Sequence, residues 1–160
     1  DVMSFRIFRD FPFGRFGVEE KEGAVTHLYL NPAGAVLPAE ERETPLLAEA
    51  MRQLAEYFAG KRREFELPLA PEGTPFMRRV WAELVKVPYG ATATYGEIAE
   101  RIGNPGGSRA VGLANNRNPI AIIIPCHRII GSSGKLVGYA GGVELKERLL
   151  ALESGSPLLF

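Results

Sequence analysis

The N-terminal part of the chain alternates short apolar runs with turn-forming clusters. Residues 5–8, 15–18 and 25–30 are rich in aromatic and β-branched side chains, and the segments between them contain glycine, proline and charged residues. This alternation is typical of strands joined by tight turns, so it predicts an antiparallel meander of three strands. Residues 31–43 show neither strand nor helix periodicity, and we expect them to form a loop.

Two amphipathic helices are predicted next, and both begin with the same pair of residues. Thr44 precedes Pro45, and Thr74 precedes Pro75; threonine is a good N-cap and proline suits the first helical position. Apolar residues recur at helical spacing as far as Gly60 in the first helix and over residues 76–85 in the second. The proline-containing residues 61–73 between them are predicted to be a linker. We therefore expect an N-terminal β-sheet/helix domain over residues 1–68 and a C-terminal domain over residues 74–160.

The C-terminal half contains a predicted helix-turn-helix. Thr94 and Glu97 form a capping-box pattern for a helix that runs to about residue 102, and Ser108 is predicted to cap a second helix over residues 109–116. Two short helices joined by a glycine-containing turn make a helix-turn-helix, whose second helix is the recognition element. This helix carries small residues that would let its backbone approach a partner closely, namely Ala110, Gly112 and Ala114.

An unbroken aliphatic run, residues 120–124, is predicted to be a short buried strand that ends at Pro125. The glycine-rich residues 131–142 around Tyr139 are predicted to form a loop that passes close to a ligand. A final helix is expected from about Val143. The fold class is therefore α+β, with a small antiparallel sheet and helix followed by a mainly helical, winged-helix-like domain.

Cys126, the only cysteine, follows the aliphatic run and precedes His127. It is either a small buried hydrophobe or a nucleophile. A nucleophilic cysteine reacts as the thiolate and needs a neighbour that promotes its ionisation. Adjacent side chains on an extended chain point to opposite sides, so His127 would act through a bridging water. Glu153, near the end of the predicted final helix, is the candidate carboxylate that could orient the imidazole.

Composition and charge narrow the class of protein. The 160 residues include one cysteine and two histidines, which permit no internal disulfide and are too few for a typical zinc site. No apolar run is long enough to span a bilayer, so we expect a cytoplasmic protein without a metal. The formal net charge is +0, yet residues 101–143 contain no Asp or Glu. Their basic residues suggest a phosphate-facing surface, unless the clustering is chance: Arg101, Arg109, Arg117, Arg128 and Lys135.

Several ordered motifs resemble the O6-alkylguanine-DNA alkyltransferase family. The sequence Pro-Cys-His-Arg at residues 125–128 is preceded by Asn-Pro at 118–119 and followed by Gly-Tyr-Ala-Gly-Gly at 138–142. Residues 94–99, 109–112 and 146–153 match as well. The resemblance covers roughly residues 74–153 closely and the first half in layout only.

The resemblance implies irreversible, single-turnover transfer of an alkyl group from guanine O6, and also from thymine O4, to Cys126. His127, through water, and Glu153 would deprotonate the thiol. Tyr95 would donate a hydrogen bond or proton to the base, and Asn118 would tie the recognition helix to the Cys126 segment. The protein would be a methylated-DNA–[protein]-cysteine S-methyltransferase that needs no cofactor.

The resemblance also implies a partner, double-stranded DNA that contains O6-alkylguanine. The protein would bind the minor groove of this DNA as a monomer, with the alkylated nucleotide flipped out. Tyr139, Ala140, Ala121 and the carbonyls of Cys126 and Ile129 would line the base pocket. Arg109 would fill the gap in the duplex, and the other DNA-binding residues would be Ser108, Ala110, Gly112, Ala114 and Arg117. The alternatives are a protein that binds the lesion and recruits repair factors, a helix-turn-helix transcription factor, and a cysteine hydrolase.

Overall fold

The structure is a computed structural model, which describes residues 3–31, 39–136, 138–139 and 141–155. The chain divides into two compact units, Asp1–Pro71 and Glu72–Phe160. Together they form the α+β architecture predicted from the sequence, with a sheet and one helix in the first unit and a mainly helical second unit. Within the described residues, no helix has both the length and the apolar character needed to cross a membrane.

The first unit contains the predicted meander. Its strands are β1 (Ser4–Phe11), β2 (Gly14–Lys21) and β3 (Ala24–Leu30), paired antiparallel in sequence order. A further strand, β4 (Glu40–Glu41), pairs parallel with β1 and gives the sheet order β3-β2-β1-β4. The prediction of a loop over residues 31–43 was therefore wrong at these two positions, because so short a strand has no alternation to reveal it.

Helix α1 (Pro45–Phe58) begins as the sequence predicts and packs against β1 and β2. The Thr44 hydroxyl accepts a hydrogen bond from the Leu47 backbone N–H over 3.1 Å, which satisfies one of the donors that a helix start leaves open. The core of this unit lies between the helix and the inner face of the sheet. Its fully buried members include Phe16, Val18, Leu47, Leu54 and Tyr57.

The second unit contains α2 (Pro75–Leu84), α3 (Tyr95–Arg101) and α4 (Ser108–Asn116), and both α2 and α3 pack against α4. The α3–α4 pair is the predicted helix-turn-helix, with the capping box of Thr94 and Glu97 formed. The predicted cap at Ser108 was wrong. Gly107 is the N-cap and no side chain caps α4, because Ser108 already has helical geometry while an N-cap residue does not.

Residues 120–124 are buried, but they do not form the predicted strand. The Ile123 and Ile124 N–H groups donate to the Ala121 and Ile120 carbonyls, which folds the run into a tight turn. Ile122 has a φ of 72°, a left-handed conformation that is unusual for a β-branched residue. An unbroken apolar run signals burial without fixing the backbone. The strands of this unit are instead β5 (Ala93–Thr94) and β6 (Ile129–Ile130), which pair parallel.

Cys126–Arg128 form one turn of 3₁₀ helix directly before β6, and we call this segment the cysteine turn. The last helix, α5 (Val143–Ser154), packs against it. Two polar residues, Lys146 and Glu153, lie on the buried side of α5 beside Leu145 and Leu149. This packing brings charged side chains of α5 to the cysteine turn.

Candidate active site and nucleic-acid interface

Cys126 is the first residue of the cysteine turn, and only 5% of its surface is exposed. The expectation that Cys126 and His127 point to opposite sides assumed an extended chain. The chain here is helical, so that argument does not apply. Burial raises the pKa of the thiol, while Asn118, Tyr139 and the positive charge of Lys146 oppose that rise. The resting thiol is therefore protonated at neutral pH and needs a base before it can act as a nucleophile.

His127 is fully buried and lies 2.6 Å (Nε2 to Oε2) from Glu153, which is also buried. Since a carboxylate accepts, Nε2 carries the proton in the neutral imidazole and Nδ1 is the basic nitrogen. That Nδ1 atom is buried and has no hydrogen-bond partner within the described parts of the chain. Burial lowers the pKa of His127, and the hydrogen bond to Glu153 opposes this. The imidazole is thus neutral at pH 7 with one nitrogen ready to accept a proton.

Arg128 is a buried partner of Glu153 rather than a surface cation. Its Nε and Nη2 atoms donate to the two carboxylate oxygens over 2.7 and 3.0 Å, and Nη1 donates to the Val87 carbonyl over 2.7 Å. Its predicted place on a phosphate-facing surface was therefore wrong. Charge counting along the chain could not reveal that the acid partner comes from α5. The guanidinium balances the buried carboxylate and fixes its orientation toward His127.

Two tyrosines, Tyr95 and Tyr139, have a hydroxyl pKa that depends on the charge of Cys126. Tyr95 opens α3, and burial first and the negative charge of Cys126 second raise the pKa of its hydroxyl. The Tyr139 hydroxyl is buried, and the same two causes raise its pKa well above the usual value. Both hydroxyls therefore keep their protons at neutral pH and can act as hydrogen-bond donors.

Asn118 connects the end of α4 with the turn formed by residues 120–124. Its amide donates to the Ile124 carbonyl over 2.8 Å and its side-chain oxygen accepts from the Ile120 N–H over 3.0 Å. Asn115 adds a contact that the sequence reasoning missed, because its amide donates to the Cys126 carbonyl over 3.3 Å. Its helical spacing with the apolar Val111 could have placed Asn115 on the inner face of α4.

The expected base-pocket residues are only partly described. The carbonyl of Cys126 accepts from Asn115, and that of Ile129 accepts from Lys146 Nζ over 2.5 Å. A carbonyl oxygen has two lone pairs. The Cys126 carbonyl also accepts from the Ile129 N–H, so both of its lone pairs are used within the chain. Ala121 is buried in the turn that precedes the cysteine. Ala140 lies outside the described residues.

Helix α4 presents an exposed face that carries Ser108, Arg109, Ala110 and Leu113, and Arg117 follows it. Half of the Leu113 surface is exposed, which the sequence reasoning did not single out. Gly112 is half-buried, and a Cβ atom there would lie 3.7 Å from the Tyr95 ring.

The prediction that Ala114 faces a partner was wrong. It is buried, and its carbonyl accepts the Trp81 indole N–H over 2.8 Å. Ala110, one turn earlier, is exposed near the start of α4, whereas Ala114 lies where Trp81 of α2 contacts the helix. Gly112, two residues from each of them, points in another direction.

Comparisons with known proteins match both compact units of the chain. Residues 75–155 match the model for the DNA-binding domain of 6-O-methylguanine DNA methyltransferase, and residues 5–71 match the model for its ribonuclease-like domain. The methylated-DNA–protein-cysteine methyltransferase of Methanosarcina acetivorans is 66% identical over 105 residues, which are 66% of this chain and 67% of the relative. The constitutive Bacillus subtilis protein of the same name is 44% identical over 158 residues, covering 94% of this chain and 96% of the relative.

A solved structure gives the same result for the fold. The crystal structure of Mycobacterium tuberculosis OGT in complex with DNA superposes with a TM-score of 0.88 and 44% identity, covering 96% of this chain and 95% of that one. The two family models together span most of the sequence, one in each compact unit. The chain therefore belongs to the 6-O-methylguanine DNA methyltransferase family.

Proposed function

We propose that the protein repairs DNA by transferring the alkyl group of O6-alkylguanine, and of O4-alkylthymine, to Cys126 Sγ. The observation that carries this proposal is the buried thiol next to a His127–Glu153 pair whose free imidazole nitrogen, Nδ1, has no partner within the described residues. Such a pair can remove a proton from a thiol through one water. The names of the relatives support the reaction, and the DNA complex of the tuberculosis protein supports the partner.

The transfer forms one bond and breaks one. The thiol proton passes through water to His127 Nδ1, the thiolate attacks the alkyl carbon, and the C–O6 bond breaks with its electrons passing to the guanine. Tyr95, whose hydroxyl stays protonated, donates a proton to a ring nitrogen, so the base leaves as neutral guanine. The proton held by His127 then returns to the Tyr95 phenolate through water, so the net transfer is from the thiol to guanine. The product at Cys126 is a thioether, which has no easy route back to the thiol. Each protein molecule therefore reacts once.

A test of this function follows the lesion in DNA. A duplex carrying O6-methylguanine is mixed in excess with the protein, and the bases are quantified by chromatography after digestion. We expect one guanine to be restored per protein molecule and none with Cys126→Ser. Restoration of more guanine than protein added, or any restoration by Cys126→Ser, would exclude a consumable cysteine acceptor.

Binding to duplex DNA is assigned to the exposed face of α4. Ser108, Arg109, Ala110 and Arg117 are exposed there, and Gly112 brings the backbone close to the face. A base in the stack hides its O6 atom, so the nucleotide must be flipped out at a cost of a few kcal/mol. A side chain that enters the minor groove and occupies the gap offsets part of that cost. Arg109, at the start of α4, is our candidate for this role.

Arg109→Ala should separate flipping from chemistry. We expect repair of O6-methylguanine in duplex DNA to slow by about tenfold to a hundredfold, as part of the cost of extrusion is no longer offset. Alkyl transfer from the free modified base should stay near the wild-type rate, since no base has to be extruded. Arg78→Ala, at an exposed arginine of α2, is the matched control and should leave both rates unchanged. Equal losses of Arg109→Ala on both substrates would remove Arg109 from the flipping step.

A further inference from the structure

Lys146 is a lysine whose side chain is fully buried on α5. Its Nζ atom donates to the Ile129 carbonyl over 2.5 Å. Burying an ammonium group is expensive unless nearby groups compensate its charge. An apolar residue would pack at this helical position at less cost, so packing alone does not account for a lysine here.

The two polar residues on the buried face of α5 hold the two sides of the cysteine turn. Lys146 and Glu153 lie two helical turns apart, so their side chains reach in the same direction. Glu153 binds His127 and Arg128 within the turn. Lys146 binds the carbonyl of Ile129, the residue that follows the turn. A single rigid helix thus sets the position of the segment that begins with Cys126.

Lys146 also contributes positive charge at the thiol. Its charge lowers the pKa of Cys126 against the effect of burial, and the charge of Cys126 in turn raises the pKa of Lys146, which burial lowers. Such reciprocity is expected of two opposite charges that lie near each other in a medium of low dielectric constant.

The other titratable and charged groups around the thiol do not supply the positive charge that Lys146 supplies. From the turn itself, Arg128 is neutralised by Glu153 of α5, and His127 is neutral. From α3 and from the loop before α5, Tyr95 and Tyr139 present protonated hydroxyls. These groups can donate hydrogen bonds, but none of them brings a net positive charge to the sulfur.

We infer that Lys146 is a positioning residue that holds the Ile129 side of the cysteine turn and places a positive charge beside the Cys126 thiolate. The inference rests on the proposed function in one respect, that the thiolate is the attacking species. Helix α5 then contributes two residues to the reaction. Glu153 holds the His127 base, and Lys146 stabilises the thiolate once the proton has left. The same contact fixes the orientation of the Ile129 carbonyl.

The test measures thiolate formation without DNA. The rate at which iodoacetamide modifies Cys126 is followed by intact mass between neutral and alkaline pH in wild type, Lys146→Met and Lys146→Arg. We expect the midpoint of the Lys146→Met profile to lie about one pH unit higher, so that the variant has about a tenth of the thiolate and reacts about tenfold more slowly at neutral pH. Lys146→Arg keeps the charge and should keep the wild-type midpoint. Lys86→Met removes an exposed lysine of the same unit and should have no effect.

A role confined to packing would slow Lys146→Met equally at every pH and leave the midpoint in place, and that result would overturn the inference. Should Lys146→Met fail to fold, the wild-type protein still provides a test. The pKa of Lys146, read by NMR of ¹³C-labelled lysine, should be higher in wild type than in Cys126→Ser, which lacks the thiolate. Equal values would also overturn the inference. A protein that fails to accept methyl groups from DNA but shows this coupling would contradict the proposed function alone.

Discussion

Glu153→Gln lowers the free energy of unfolding by about 3–5 kcal/mol, the cost typical of removing one partner of a buried ion pair. The substitution leaves the Arg128 guanidinium buried opposite a neutral amide, where the wild-type protein has two charge-assisted hydrogen bonds of 2.7 and 3.0 Å. It also removes the carboxylate that holds the His127 imidazole. Chemical denaturation followed by circular dichroism measures the loss, and we expect alkyl transfer to be lost as well.

The double variant Glu153→Gln/Arg128→Met separates these two effects. Removing both charges of a buried pair costs far less than removing one, since no unpaired charge remains. We therefore expect the double variant to regain much of the lost stability and none of the alkyl-transfer rate. If it repaired methylated DNA at the wild-type rate, Glu153 would be a structural residue only, and the proposed relay from Cys126 would be wrong.

His127→Gln slows alkyl transfer by about a hundredfold to ten-thousandfold, the range usual for a lost general base. The glutamine amide can still donate to Glu153 as imidazole Nε2 does, so the carboxylate keeps its contacts, but no basic nitrogen remains. Arg128 also donates to the oxygen that His127 contacts. The loss should therefore fall on the rate, measured in single-turnover reactions, and leave the thermal unfolding midpoint nearly unchanged.

The wild-type protein and His127→Gln should differ in how the alkyl-transfer rate depends on pH. Burial lowers the pKa of His127 and raises that of Cys126, so between the two pKa values the base is neutral and the thiol is protonated. Over that window the wild-type rate should be nearly flat, and it should fall only below the ordinary histidine pKa of about 6.5. His127→Gln must wait for spontaneous ionisation, so its rate should rise tenfold per pH unit. A flat profile for the variant would show that His127 is not the base.

The elements of the fold were predictable wherever local signals agreed. The threonine–proline starts of α1 and α2, the capping box of α3 and the meander of the first unit each rest on neighbours in sequence. The turn at residues 120–124 was not predictable, because it depends on Asn118 and on a left-handed Ile122. An apolar run shows that the segment is buried, whereas contacts from other elements decide its backbone path.

Within the site, the residues of the motifs were easier to find than the residues that support them. Cys126 and His127 are adjacent in sequence, and Glu153 ends one of the motifs that resemble the family, although Glu144 and Glu147 lie nearer along the chain. Arg128 was assigned to the surface, and Lys146 was passed over, because charged residues are exposed in most proteins. Only the packing of α5 against the cysteine turn shows that both are buried.

The most direct test of the central claim is the mass of the peptide that contains Cys126 after reaction with a duplex carrying O6-methylguanine. The account predicts one added methyl group, located on the Cys126 sulfur by fragmentation, with every other peptide unchanged. It also predicts that a second portion of methylated DNA adds nothing to the protein. A protein that restores guanine while its Cys126 peptide keeps the unmodified mass would contradict the account, because the alkyl group would then have another acceptor.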